Sequence, residues 1–188
     1  MSGWCRTPSP LVGEGRGGGG TPGCVPGGTP TPTLPHQGGG GRVHKHQVRV
    51  YWEDTDAGGI VYHSNYLNFA ERARTEMVRT LGIRQSDLAA GGKGHAFAVR
   101  HMGVDFLKPA RLDDLLEVET AVVEVGGASM ELAQIISRLD DGAVLVRLQV
   151  RLAYISLADG KPARIPPGLK APMQAPMQAK VNETNERL

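Results

Sequence analysis

Apolar and polar positions along this chain follow two different periods. The segment HKHQVRVYWE alternates apolar and polar residues, which predicts a β-strand. From Ser64 to Leu81 the period becomes helical. An apolar stripe recurs there at spacings of three and four residues, at Tyr66, Ala70, Ala73, Met77 and Leu81. This pattern predicts one long helix, with Ser64 or Asn65 as its N-cap and Gly82 at its end.

Four further strand-like runs follow the helix. They read HAFAVRHMGVDFLK, RLDDLLEVETAVVEV, SMELAQIISRL and AVLVRLQVRLAYISL. The connections between them contain KPAR, GGAS and DDG, of which Asp141-Gly142 is a hairpin signal. Long strands joined by short turns predict an antiparallel meander. One long helix set against such a sheet is an α+β layer fold.

The two ends of the chain differ from its middle. Residues 1–42 are rich in Gly, Pro and Thr and have no apolar period, so we expect them to be disordered. They resemble translated G/C-rich DNA, and a natural start at Val43 is therefore a hypothesis. Residues 167–188 contain the repeat APMQ-APMQ and predict a mobile tail without a core. The expected domain spans residues 43–166.

Composition and charge argue against several classes of protein. The net charge of +2 does not indicate a nucleic-acid surface. No apolar run approaches the roughly 20 residues of a transmembrane helix. Cys5 and Cys24 both precede the domain, which excludes a disulfide, a Cys-ligated metal or a thiol nucleophile in its core. His44 and His46 share one strand face, but two histidines are too few for a metal site, so we expect both to be solvated. The expected location is the cytoplasm, with the inner face of the cell membrane as an alternative.

The stretch EDTDAGGIVYHSN, residues 53–65, places an acidic, glycine-broken loop directly before the helix. A helix N-terminus presents unpaired N–H groups and a partial positive charge, which suit an oxyanion developing on a carbonyl. Gly58 and Gly59 would let a substrate group approach closely. A carboxylate just upstream can attack the same carbonyl carbon or activate a water. The pattern fits hydrolysis of an activated acyl group without a metal or a Ser or Cys nucleophile.

These residues also resemble a known family. VRVYWEDTDAGGIVYHSNYLNFAERARTEM and the later FLKPARLDDLLEV are similar to the hotdog-fold acyl-CoA thioesterases of the 4-hydroxybenzoyl-CoA thioesterase family, and within it to the bacterial Tol–Pal-associated group. The resemblance runs from about residue 43 to residue 166. It implies a hotdog fold, in which a five-stranded antiparallel sheet wraps a long central helix. It also implies a homodimer or homotetramer with active sites at the subunit interface.

The resemblance assigns roles to particular residues. By position, the catalytic aspartate is Asp56, and the backbone N–H that binds the oxyanion belongs to His63, whose side chain is a further candidate. Gly59, Tyr62 and Tyr66 are candidate substrate contacts, and the two tyrosines are expected to serve as packing or pocket wall and not in the chemistry. The implied substrate is acyl-CoA or an acyl carrier protein thioester. No separate cofactor is expected, because coenzyme A is part of the substrate.

Other polar residues have less direct interpretations. Ser129 is the remaining candidate for a substrate contact in the GGAS turn, where members of the family carry arginines that hold CoA. Asp54 is expected to hold the loop through side chain–backbone bonds, and PARLDD to shape a turn. A second hotdog branch uses a carboxylate on the central helix as its catalytic group, and Glu71 lies on this helix beside the apolar stripe. An ion pair of Glu71 with Arg72, Arg74 or a partner subunit is the simpler interpretation.

The sequence therefore predicts a thioesterase that cleaves acyl-CoA to a carboxylate and free CoA. Asp56 would act either as nucleophile or as general base. Two alternatives stay open: a non-catalytic module that binds acyl-CoA or acyl carrier protein, and a hotdog dehydratase acting on 3-hydroxyacyl thioesters.

Overall fold

A computed structural model of the chain describes residues 43–90 and 94–174. The expectations for residues 1–42 and 175–188 lie outside the described residues. The elements, in chain order, are β1 (Val43–Arg49), a 3-10 turn (Trp52–Asp54), α1 (His63–Thr80), α2 (Gln85–Ala89), β2 (His95–Phe106), β3 (Leu115–Val125), β4 (Ser129–Arg138), β5 (Val144–Ser156) and α3 (Pro167–Gln174). The long helix and the five strands predicted from the sequence are all present.

The strands form one antiparallel sheet in the order β1-β3-β4-β5-β2. The predicted meander is correct for β3, β4 and β5, but it is wrong for β2, which pairs with β5 at the far edge of the sheet. The physical reason lies in residues 107–114, between β2 and β3. They do not join β2 to β3 as a hairpin, because their backbone is bonded to the loop before α1: the Val61 N–H donates to the Ala110 carbonyl at 2.9 Å.

The core lies between α1 and one face of the sheet. Its fully buried side chains include Phe69 and Met77 from α1 and Leu116, Val118, Leu132, Ile136 and Leu148 from the sheet. Ala70 and Ala73 are completely buried, and their small size lets the helix lie close to the strands, as expected. The helix lies over β1, β3 and β4, and α2 packs against β2.

Both ends of α1 lie within one residue of the prediction, but its N-cap differs. Tyr62 occupies the N-cap position, and neither Ser64 nor Asn65 does. The Asn65 side chain instead donates to the Asp54 carbonyl at 3.0 Å. Gly82, with φ of +81°, follows the last turn, where the left-handed conformation favours glycine.

The expectation of a mobile tail is wrong for its first eight residues, which form α3. Met173 on this helix is only 4% exposed and belongs to the core, and Leu169 packs beside it. The two side chains are four residues apart, so they lie on one side of the helix, which packs against β3. Within the described residues, no helix combines the length and apolar character needed to cross a bilayer.

Candidate active site

Asp54 holds the loop between β1 and α1 from the inside. Its side chain is buried, and its Oδ2 accepts the Tyr51 N–H at 2.9 Å. Its carbonyl oxygen accepts the Tyr62 N–H at 2.8 Å and the Asn65 side-chain amide at 3.0 Å. The expectation for Asp54 is confirmed, and these bonds join the loop to the first turn of the helix.

Asp56 lies at the exposed tip of this loop. Its backbone N–H donates to the Ile60 carbonyl at 2.9 Å, and its own carbonyl accepts the Gly59 N–H at 3.0 Å. One carboxylate oxygen, Oδ1, accepts the Gly58 N–H at 2.8 Å. The other oxygen has no donor among the described residues. The carboxylate is therefore oriented by one oxygen and leaves the other available.

The two glycines serve this turn in different ways. A Cβ on Gly58 would lie 3.0 Å from the Asp56 Oδ1, closer than ordinary contacts. Gly59 has φ of +70°, a conformation that side chains make costly, and nothing lies within 4 Å of where its Cβ would be. Gly58 thus leaves room for the carboxylate. The expected approach of a substrate to Gly59 stays a prediction.

The start of α1 is open. His63 is its first residue, and the N–H groups of His63 and Ser64 have no acceptor among residues 43–90 and 94–174. The His63 ring is exposed and lies 4.3 Å from the Tyr62 ring and 6.3 Å from the Phe106 ring. Tyr62 and Phe106 are themselves about half exposed. The positive end of the helix therefore faces a partly aromatic surface.

Tyr66 does not line this surface. It is only 3% exposed, and its hydroxyl oxygen accepts the N–H of the fully buried Ala110 at 2.8 Å. Burial, as the largest cause, raises the pKa of the Tyr66 hydroxyl. Of the two expected roles, packing and pocket wall, the structure favours packing, because the ring lies in the core and the hydroxyl holds the segment that follows β2.

A cluster of charged side chains, which the sequence did not reveal, also stabilises the segment between β2 and β3. Asp114 accepts the Arg111 N–H at 2.8 Å and the Arg138 Nε–H at 2.9 Å, both on Oδ2. Arg138 also donates to the Pro109 carbonyl at 2.9 Å. Arg111 in turn forms a β-bridge with Ile60 in the candidate loop. The turn-shaping role expected for PARLDD is confirmed, but Arg138 lies 24 residues from Asp114 and carried no local signal.

Ser129 is not brought to the helix start within one chain. It pairs with position 153 of β5, whereas Phe106 pairs with position 146, seven residues away. At the rise of a strand this separation is about 23 Å. Ser129 instead lines a hollow together with Arg100 and Arg151. Arg151 is paired there with Glu131, and no sequence signal had pointed to either arginine.

The two histidines of β1 are not both solvated as expected. His44 is partly buried, and its Nε2 is sealed from solvent without a hydrogen-bond partner among the described residues. Burial, and after it the charge of His46, lower the pKa of His44, while Glu76 opposes them. Within the described part of the chain, no three His, Cys, Asp or Glu side chains are grouped closely enough to hold a metal ion.

Known proteins resemble much of this chain. Residues 58–145 match the family described as the Thioesterase superfamily. The chain is 46% identical over 124 residues to "Acyl-CoA thioesterase YbgC" of Haemophilus influenzae, covering 66% of this chain and 89% of that protein. It is 42% identical over 124 residues to "Acyl-CoA thioester hydrolase YbgC" of Escherichia coli, with 66% and 90% covered.

A solved structure extends the likeness to three dimensions. The crystal structure of "Probable Thioesterase from Bartonella henselae" superposes with a TM-score of 0.63 at 40% identity, covering 66% of this chain and all of that one. This match confirms the α+β hotdog fold that the sequence predicted.

Proposed function

This chain belongs to the thioesterase superfamily, and on that premise we propose that it hydrolyses acyl-CoA thioesters. The reaction consumes water and one thioester, R–CO–S–CoA, and yields R–COO⁻, CoA–SH and a proton. The names of the two relatives reported above support acyl-CoA as the substrate class.

One observation carries the assignment of the site: the loop before α1 and the first turn of α1 together present an oriented carboxylate and unpaired helix N–H groups. Asp56 has one oxygen fixed by the Gly58 N–H and the other without a donor among the described residues. The His63 N–H lies in the first turn of α1 and has no acceptor among the described residues. Hydrogen bonds of Asp54 join the loop to this turn, so the Asp56 carboxylate and the His63 N–H are fixed relative to each other.

The proposed chemistry divides between these groups. The thioester carbonyl oxygen accepts the His63 N–H, whose partial charge is reinforced by the helix, and the negative charge that develops in the transition state is stabilised. Asp56 then acts in one of two ways. As nucleophile it displaces the CoA thiolate and forms a mixed anhydride, which water hydrolyses. As general base it takes a proton from the water that attacks the carbonyl carbon.

Asp56→Asn tests the carboxylate. The amide keeps the size and the hydrogen bond from Gly58, so we expect the fold to persist while CoA release falls by at least about 100-fold, the lower range for loss of a general base. A thiol-release assay with a panel of acyl-CoAs measures this loss. Near-normal turnover would remove Asp56 from the mechanism. Binding of acyl-CoA by the wild-type protein without CoA release would favour the binding module, and hydration of an enoyl-CoA would favour the dehydratase.

The proposed assembly is a homodimer formed through β2. This 12-residue strand is an edge of the sheet, so one side of its backbone lacks a partner strand among the described residues. Val99 lies in the first half of β2 and Phe106 is its last residue, and each is 51% exposed. A second copy paired antiparallel to β2 would satisfy the edge and cover both side chains by the same symmetry operation. Sedimentation equilibrium tests this assembly, and a monomer at micromolar concentration would contradict it.

A further inference from the structure

Arg74 in α1 is a buried cation with few partners. It is 7% exposed, and its Nη1 donates to the Gln134 Oε1 at 2.7 Å. No ion pair among the described residues includes it. Desolvation lowers its pKa, and the charge of Glu71 opposes that shift. A guanidinium has five N–H donors, and buried charges normally have more partners than this.

Gln134 fixes the orientation of that guanidinium. It is itself 1% exposed, and its side-chain amide donates to the Ala70 carbonyl at 3.0 Å and to the Thr120 hydroxyl at 2.9 Å. Its carbonyl oxygen is therefore aimed at Arg74 by two other bonds. The guanidinium is held in place before any ligand arrives, which is what a binding group requires.

A cavity of about 80 Å³ adjoins Arg74. Its walls are mostly apolar and include Phe97 and Val99 of β2, while Glu71 and Thr75 lie at its polar side. Among the described side chains, the His44 Nε2 is the only nitrogen or oxygen that is both inaccessible to solvent and without a hydrogen bond. The Arg74 nitrogens that have no hydrogen-bond partner are therefore accessible to solvent. The space suits roughly two or three water-sized groups.

The cavity lies far from the candidate site of its own chain, and pairing in the proposed dimer would bring it toward the site of the second copy. Arg74 follows His63 by eleven residues of helix, about 16 Å along its axis. Phe97 and Val99 lie in the first half of β2, whereas Phe106, beside His63, ends it. When a strand pairs antiparallel with its own copy about its middle, the first half of one lies beside the second half of the other.

We propose that this cavity receives the acyl end of a substrate held at the second copy's loop, and that Arg74 binds an oxygen on that acyl group. The inference rests on the proposed function and dimer. Glu71 lies at the rim and its carboxylate accepts the Thr75 hydroxyl at 2.8 Å, so the cavity is not strongly positive overall. A neutral acceptor suits it better than an anion. The substrate class is therefore short acyl groups with a hydroxyl or keto oxygen.

A pair of matched thioesters tests the specificity. Acetoacetyl-CoA and butyryl-CoA differ by one keto oxygen, and kcat/KM for the first is expected to exceed the second by about 10- to 100-fold, the range for a hydrogen bond to a charged group. In Arg74→Leu this ratio should fall to about one, and Arg74→Lys should restore part of it. A wild-type ratio of one or less overturns the proposal without any variant. Failure to hydrolyse any acyl-CoA overturns the proposed function instead.

Mixed dimers test the placement across the interface. Asp56→Asn and Arg74→Leu chains are co-expressed with different tags and the heterodimer is purified. If the site combines Asp56 of one copy with Arg74 of the other, one of two sites is intact and about half of the wild-type acetoacetyl-CoA turnover returns. If both residues serve the same chain, turnover stays at or below that of the Arg74→Leu protein, and the proposal is wrong.

Discussion

The substitution His63→Pro tests the role of the backbone N–H at the start of α1 separately from the role of the imidazole side chain. His63 is the first helical residue, where proline is favoured because the N–H has no partner within the helix. Tyr62 before it has φ of −62° and ψ of 132°, the extended conformation that a residue preceding proline adopts. The His63 amide has no acceptor among the described residues, so His63→Pro breaks no bond there.

The two expected magnitudes are far apart. Because the site accepts proline without strain, the free energy of unfolding should change by less than about 1 kcal/mol. If the His63 N–H binds the developing oxyanion, its loss should lower kcat by about 100- to 1000-fold, or roughly 2.7–4 kcal/mol. His63→Ala is the matched control, because it removes the ring and keeps the N–H. We expect it to lower kcat by less than about tenfold.

The assay is CoA release at saturating acyl-CoA, with thermal unfolding of each variant measured alongside. A proline variant that unfolds at the wild-type temperature and turns over as fast as the alanine variant would refute the oxyanion role of this amide. Equal, large losses in both variants would show that the imidazole carries the effect.

Two further substitutions test the geometry around the site. Gly58→Ala places a Cβ 3.0 Å from the Asp56 Oδ1, about 0.4 Å inside the 3.4 Å at which ordinary contacts begin; scaling from about 100-fold per ångström of misplacement, kcat should fall about sixfold. Gly142→Ala, with φ of +67° in the β4–β5 turn, is its control and should reduce stability by about 1 kcal/mol without affecting kcat; equal kcat in the two variants would contradict the contact. Tyr66→Phe leaves the N–H of the fully buried Ala110 without its acceptor and should reduce the free energy of unfolding by about 1–3 kcal/mol in urea titrations, whereas an unchanged value would mean that this bond does not stabilise the fold.

The sequence by itself predicted the helix and strands, and it supplied the proposal for the chemistry of the loop. The helical stripe from Tyr66 to Leu81 and the alternation in the strands are local patterns of apolar residues. Each helix or strand can therefore be predicted from the periodicity of its own segment. The order of Asp54, Asp56, two glycines and a helix start is also local. Its interpretation needed only the properties of a helix N-terminus and a nearby carboxylate.

Tertiary structure alone decided how these elements meet. The periodicity of β2 is the same whether it pairs with β3 or β5, and only the tertiary structure shows that it pairs with β5, a pairing that the Leu107 and Lys108 N–H groups extend by donating to the Leu145 carbonyl. The same packing decided that Tyr66 lies in the core and not in a pocket wall, and it joined Arg138 to Asp114. Arg74 and Gln134 are 60 residues apart in the chain. Contacts at such separations depend on the free energy of the whole packed core, and no local period encodes them.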